Sequence, residues 1–209
     1  MQAIGIFSRK GGVGKSTLAI HLSTLMQNDG RTLLIDCDPQ GSLGYWEKLR
    51  DNDSFGIVGR SLEGLPPVLR AAEESGVRYV LADTPPSLEE PIPAAMKAFD
   101  FILVPLRPSA LDIAAVAGTV ATVKAAGIAF GCVLNMCPPR RGFGAPTAVQ
   151  EIRDLLAGLG APVFEAVLCH RVAFQNAVNG GETVTEYDPS GAAAAEIAAL
   201  WEEIKTRLP

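Results

Sequence analysis

The chain predicts a three-layer α/β fold in which a mainly parallel, twisted sheet is flanked by helices. Three observations carry this. Short apolar runs alternate with helix-period segments along nearly all of the 209 residues. The connectors between them are short, and a glycine-rich turn joins the first apolar run to the first amphipathic segment. The alternation is one continuous pattern, so a single domain over residues 1–209 is expected, of a size that buries a substantial core.

In chain order, the apolar runs at 3–7, 32–36, 77–82, 100–104, 128–134 and 163–168 read as strands. Segments 16–28, 43–50, 65–75, 109–126, 146–158 and 190–207 carry the helical period. The last of these comes after Asp188-Pro189-Ser190, which predicts a polar cap. Its Ile197, Leu200, Trp201 and Ile204 predict packing on the sheet. Residues 135–146, NMCPPRRGFGAP, read as a loop.

Composition narrows the class. With 48% hydrophobic and 20% charged residues the chain is globular and not disordered. A net charge of −5 argues against a globally basic nucleic-acid binder and leaves a local patch open. No run has the apolar length of a membrane span, and Met1 leads straight into the first strand, so a cytoplasmic protein is expected. Cys37, Cys132, Cys137 and Cys169 lack C-x-x-C spacing and are expected to be reduced thiols in or near strands, not ligands of zinc or an iron–sulfur cluster.

The stretch Phe7–Thr17, FSRKGGVGKST, sits at a strand-to-helix turn, the place for a phosphate-binding loop. Gly11, Gly12 and Gly14, with Val13 between them, let the backbone close around a polyphosphate with its N–H groups turned inward at a helix N-terminus. Lys15 supplies a cation for the β and γ phosphates. The hydroxyl of Ser16 suits a Mg²⁺ position, and Thr17 offers a donor to the α phosphate. Ligands of open parallel sheets collect beyond the carboxyl ends of the strands, which directs attention to Asp36 and Asp38 after one strand and Asp83 after the next. Asp83 closes an apolar run, where a Walker B carboxylate belongs, holding Mg²⁺ through a bound water.

The loop departs from the general pattern at two places: Arg9 stands where glycine is usual, and Lys10 is an extra lysine. In this respect K-G-G-V-G-K-S resembles the deviant Walker A motif of the ParA/MinD family of partitioning and positioning ATPases, a P-loop, SIMIBI-like NTPase fold. The D-x-D-P-Q-G-S run from Asp36 and the D-T-P-P run from Asp83 resemble that family's two switches. The resemblance implies ATP and Mg²⁺ as cofactors and a homodimer with ATP sandwiched between subunits. Lys10 would reach across to the partner's phosphates, while Asp38 would position the attacking water with Asp36 supporting it. By the same resemblance Asn135 falls where relatives contact adenine, although an asparagine after a strand also serves as a turn residue. His170–Ala177 and Glu186–Pro189 are similar to the C-terminal third of small ParA proteins, and Arg171 lies in the part that resembles their DNA-contacting region. The bland alternative for Arg171 is a solvated or salt-bridged arginine.

The resemblance implies a ParA-type ATPase that dimerises on ATP, binds nonspecific DNA of the nucleoid, and moves a plasmid, chromosome or protein cargo with a ParB-like or cargo adaptor. Arg140, Arg141, Lys205 and Arg207 are further DNA candidates. The last helix carries three glutamates and lacks the basic face of a membrane-surface helix, which disfavours a MinD-like membrane role. No helix-turn-helix domain precedes the first strand, so sequence-specific repression is not expected. The competing reading is an ATP-dependent small-molecule ligase on the same scaffold; Lys10 and the D-x-D-P-Q run favour the first.

Overall fold

The computed structural model describes residues 1–50, 55–86, 95–139 and 147–209. Among them, seven parallel strands form one sheet in the order β3-β2-β4-β1-β5-β6-β7. The strands are β1 (Gln2–Ile6), β2 (Thr32–Asp36), β3 (Gly56–Gly59), β4 (Tyr79–Asp83), β5 (Phe101–Leu106), β6 (Ala129–Cys137) and β7 (Val163–Cys169). The helices are α1 (Lys15–Asp29), α2 (Ser42–Glu47), α3 (Leu65–Glu74), α4 (Ala110–Ala126), α5 (Thr147–Gly158), α6 (Val172–Asn179), α7 (Val184–Tyr187) and α8 (Ala192–Arg207).

Side-chain alternation along the strands sorts the core into two layers. Val80, Ala82, Ile102, Val104, Cys132 and Leu134 face α3, α4 and α5. Ile4, Ile6, Leu34, Leu81 and Leu103 face α1, α2 and α8 on the other side. Ile197, Leu200, Trp201 and Ile204 of α8 are buried in this second layer as their spacing predicts. Trp201 stands edge-on to Tyr79 at 5.3 Å and donates from Nε1 to Asp29 at the end of α1 (2.7 Å). The four cysteines are free and buried in or beside β2, β6 and β7.

Topology places the site. The chain leaves β1 to build β2, β3 and β4 on one side, then crosses β1 to build β5, β6 and β7 on the other. The two halves diverge at the carboxyl end of β1, which is the crevice in such sheets where ligands bind.

Several expectations are corrected. Gly56–Gly59 is a strand, because Leu33–Asp36 offers it an edge to pair with in parallel register. The predicted loop at 135–146 begins later: Asn135, Met136 and Cys137 continue β6, held against β7 by the Cys137–Cys169 pairing. Residues 140–146 of that loop, with Arg140 and Arg141, lie outside the described residues. Two unforeseen short helices, α6 and α7, come after β7. The N-cap of α8 is Gly191, which offers no side-chain cap, so Asp188 and Ser190 do not play that part.

Candidate functional site: a phosphate loop at the sheet switch

The register of three strands assembles the site. Ile6 of β1 pairs with Asp83 of β4, and Asp83 pairs with Asp36 of β2, so the loop after β1 starts in line with both acids. Thr84, fully buried, donates from Oγ1 to the Ile6 carbonyl (2.7 Å) and ties the D-T-P-P turn to the loop's first strand.

The loop needs its glycines. Gly12 and Gly14 have φ of 71° and 90°, a region that penalises any Cβ. A Cβ on Gly14 would also stand 2.5 Å from Nδ2 of Asn135. Gly14 is the N-cap of α1, whose first turn carries no acid, so the positive pole of a fifteen-residue helix is left for an anion to meet.

Lys15 at that pole is buried. Burial holds its ammonium below the usual lysine range, and Asp83 and Asp38 pull it back up. Asp83 is fully buried and both its carboxylate oxygens lack hydrogen-bond partners. Burial pushes it up to about 6; the nearby Ser16 hydroxyl and Lys15 oppose this, and Asp36 and Asp38 add to it. An orphaned buried carboxylate beside Ser16 and a cationic helix pole is the donor set a hard, oxygen-seeking cation fits, and the glycine loop beside it fits a polyphosphate.

Asp36 differs. Its Oδ2 accepts from the N–H groups of Leu43 (2.9 Å) and Gly44 (3.2 Å), and its Oδ1 from that of Asp38 (3.2 Å). It fixes the turn that presents Asp38 and starts α2. Asp38 is half-buried and accepts from the Gln40 N–H at 3.0 Å.

On the far side of the loop, Asn135 donates from Nδ2 to the Val13 carbonyl (2.8 Å) and accepts at Oδ1 from the Met136 N–H (2.9 Å). Thr17, His21, Asn135, Met136, His170 and Phe174 line a cleft there. His21 is fully buried and its Nδ1 accepts from the Val184 N–H (3.0 Å), docking α1 onto α7. A larger cavity of about 520 Å³ lies between Pro138–Pro139, β7 and α8, but it has no part of the phosphate loop in its wall.

The predicted residues Lys10 to Thr17, Asp36, Asp38, Asp83 and Asn135 thus come together around one crevice. Arg171 lines the cleft that Thr17 and Asn135 also line, and it donates from Nε and Nη2 to Glu196 at 3.0 and 2.7 Å. Lys205 is paired with Asp29 and Glu202, and Arg207 with Glu203. Sequence reasoning did not assign Asp112, which sits 3.5 Å from the Lys10 ammonium. The Ser109-x-x-Asp112 spacing of a capping motif was the available signal.

Residues 4–184 match the CobQ/CobB/MinD/ParA nucleotide binding domain family. The chain is 31% identical over 198 residues to the maintenance of carboxysome distribution protein A of Gloeobacter kilaueensis, covering 93% of this chain and 89% of that one. It is 29% identical over 245 residues to the chromosome-partitioning ATPase Soj of Thermus thermophilus, covering 100% and 97%. Among solved structures, the septum site-determining protein MinD of Pyrococcus horikoshii, complexed with Mg-ADP, has a TM-score of 0.76 at 20% identity over 97% and 95% of the two chains. With the family match running from β1 to the first residue of α7 and the glycine loop standing at the switch of the sheet, the chain belongs to the CobQ/CobB/MinD/ParA nucleotide-binding family.

Proposed function

We propose that the protein is a ParA-type ATPase whose ATP-bound dimer binds nonspecific DNA and positions a plasmid, chromosome or protein cargo, with hydrolysis stimulated by an adaptor. One observation carries the reading. The loop holds two lysines with different placements: Lys15 is buried at the helix pole, while Lys10 has a side chain 29% exposed and turned to Asp112. A loop that serves its own phosphates with Lys15 leaves Lys10 for a second subunit. There it can act in trans as an arginine finger does.

In this reading Ser16 and Asp83 would hold a Mg²⁺ ion bound with the nucleotide, which would supply positive charge to the phosphates. The N–H groups from Gly11 to Thr17 bind the phosphates and Lys15 adds its charge. Asp38, half-buried, accepts a hydrogen bond from the attacking water and orients it, with Asp36 holding the turn. Asn135 lines the cleft beside the loop, where the adenine would lie. Two of the relatives carry names that speak of chromosome partitioning and carboxysome distribution, which supports a positioning role over the ligase alternative. Arg171 would meet DNA phosphates by opening its pair with Glu196, a step that two subunits make twice.

The test is sedimentation of the hydrolysis-blocked Asp38→Ala variant with Mg²⁺ and ATP, together with ATPase rates of the wild type. A dimer with ATP and a rate raised by DNA plus adaptor are expected. A single subunit at every concentration, or a rate governed by a small metabolite, would overturn the reading.

A further inference from the structure

Helix α2 is six residues long, and a carboxylate holds the chain at each of its ends. At its start Asp36 takes the N–H groups of Leu43 and Gly44, which joins the helix to the turn that carries Asp38. Just past its end stands Arg50, with a side chain 3% exposed. It donates from Nη2 to Oε1 of Glu186 (2.8 Å), and from Nη1 to Oε2 of Glu186 (3.1 Å) and the Gly181 carbonyl (3.0 Å). Its guanidinium lies over the rings of Trp46 (4.6 Å) and Phe55 (4.7 Å), which fixes its direction. Gly181 has φ of 72°, and a Cβ there would collide with the Leu49 carbonyl, so the chain leaving α2 is pressed against the turn before α7.

Glu186 faces two ways. Its Oε2 also accepts from the N–H and the hydroxyl of Thr183 (2.7 and 2.9 Å), and the Thr183 hydroxyl meets that of Thr24 on α1 at 2.9 Å. Burial alone would raise this carboxyl, but Arg50 and Thr183 hold it below the usual carboxylate range. Thr24 lies about 14 Å along α1 from Lys15. Two helices that start at the crevice, α1 with the phosphate loop and α2 with the Asp38 turn, are thus joined away from it through one carboxylate.

We propose that Arg50 and Glu186 are positioning residues for hydrolysis: they fix α2 against α1 and so set where Asp38 stands relative to phosphates held at Lys15. This rests on the reading that Asp38 orients the attacking water. The water must meet phosphorus in line, and moving the group that orients it by about 1 Å costs up to about a hundredfold in rate. Arg50 and Glu186 lie outside the phosphate loop, so nucleotide affinity is left to the loop.

Single-turnover release of radiolabelled phosphate and titration of a fluorescent ATP analogue test this. Arg50→Met/Glu186→Gln removes both charges together, leaving neither buried alone, and the methionine keeps packing on Trp46 and Phe55. Its hydrolysis should fall about tenfold with ATP affinity within twofold of wild type. Glu186→Gln by itself keeps one acceptor for Arg50, should fall about threefold with the same split, and carries the measurements if the pair does not fold. The decisive step is the cycle with Asp38→Ala, in which the clamp variant should slow hydrolysis no further. A merely structural clamp would lower the melting temperature and leave the rate of the folded protein unchanged. That outcome overturns the proposal, as do rate and affinity falling together, or losses that add in the combined variant. Should Asp38→Ala alone hydrolyse at the wild-type rate, the assignment of Asp38 fails, and hydrogen exchange of the nucleotide-free protein judges the frame. Faster exchange of the amides at 40–44 in the clamp variant supports it, and unchanged exchange overturns it.

Discussion

Asp36 and Asp83 are register partners on adjacent parallel strands, yet one carboxylate takes three backbone N–H groups and the other takes none. The difference lies in the residues just beyond each strand. After Asp36 the chain turns back into α2, and Leu43 and Gly44 bring their N–H groups to the carboxylate. After Asp83 come Thr84, Pro85 and Pro86; the prolines have no N–H to offer, and the Thr84 hydroxyl is committed to the Ile6 carbonyl. One acid is a structural brace and the other is left with its lone pairs free.

The free carboxylate should be visible in stability against pH. Asp83 titrates near 6 in the folded chain and near 4 when unfolded, so its burial costs nothing below pH 4 and costs progressively more as pH rises to 6. Asp83→Asn should match wild type near pH 4 and exceed it by about 1–3 kcal/mol above pH 6.5 in the absence of nucleotide. Adding Mg²⁺ and ATP should reverse the order, because only the carboxylate gains from binding. Thermal unfolding across pH, with and without ligand, checks both.

Lys15→Ala and Asp38→Ala should separate binding from hydrolysis. The first removes the cation seated at the helix pole and should weaken ATP binding by a hundredfold or more, about 3 kcal/mol. The second leaves the phosphate nest intact and should bind ATP within a few fold of wild type while hydrolysis falls by about 10²–10⁴. Titration of a fluorescent ATP analogue and a phosphate-release assay distinguish them. Unchanged hydrolysis in Asp38→Ala would remove its assigned role.

Gly14 and Asn135 should be coupled. Gly14→Ala suffers both the strained φ of 90° and a Cβ placed 2.5 Å from Asn135 Nδ2. A loss of about 2–3 kcal/mol is expected in wild type. In an Asn135→Ala background the 2.5 Å collision is gone, while the strain and a 3.2 Å approach to Met136 Cε remain, so the loss should shrink by about 1 kcal/mol without vanishing. Denaturant unfolding of the four proteins measures the difference.

His21 should make the fold acid-sensitive. Burial drives its pKa down to about 4, and the Phe174 carbonyl faces the ring without making a hydrogen bond to Nε2 of normal geometry. The unfolded chain takes up a proton at 6.5 and the folded one does not, so stability is full above pH 6.5 and declines as pH falls toward 4, by up to about 3 kcal/mol. His21→Asn, whose Oδ1 can accept from the Val184 N–H, should cost about 1 kcal/mol at pH 7.5 through lost contact with Phe174. It should lack the decline, so that the two stability curves meet on acidification.

Much of this was legible in the residue order because it depends on neighbours in the chain. Gly12 and Gly14 announce left-handed backbone, Lys15 and Ser16 come next at the helix start, and Asp83 ends an apolar run. Strand β3 was not legible: Ile57 and Val58 between glycines carry little pattern, and the strand exists because β2 offers hydrogen bonds to it. Helices α6 and α7 are short, and their place depends on α1: His21 packs on Phe174 of α6, and His21 and Thr24 reach Val184 and Thr183 at the start of α7.

The sequence by itself determined the class of fold, the phosphate loop and the acids available to it, since local backbone preference and the periodicity of apolar side chains act over a few residues. Only the tertiary structure decided which acid is braced and which is free, that Arg171 is paired with Glu196, and that Lys10 rests against Asp112. Each of these joins residues from different strands and helices, and the charge a side chain feels is set by strand register and burial, which no local run of residues contains.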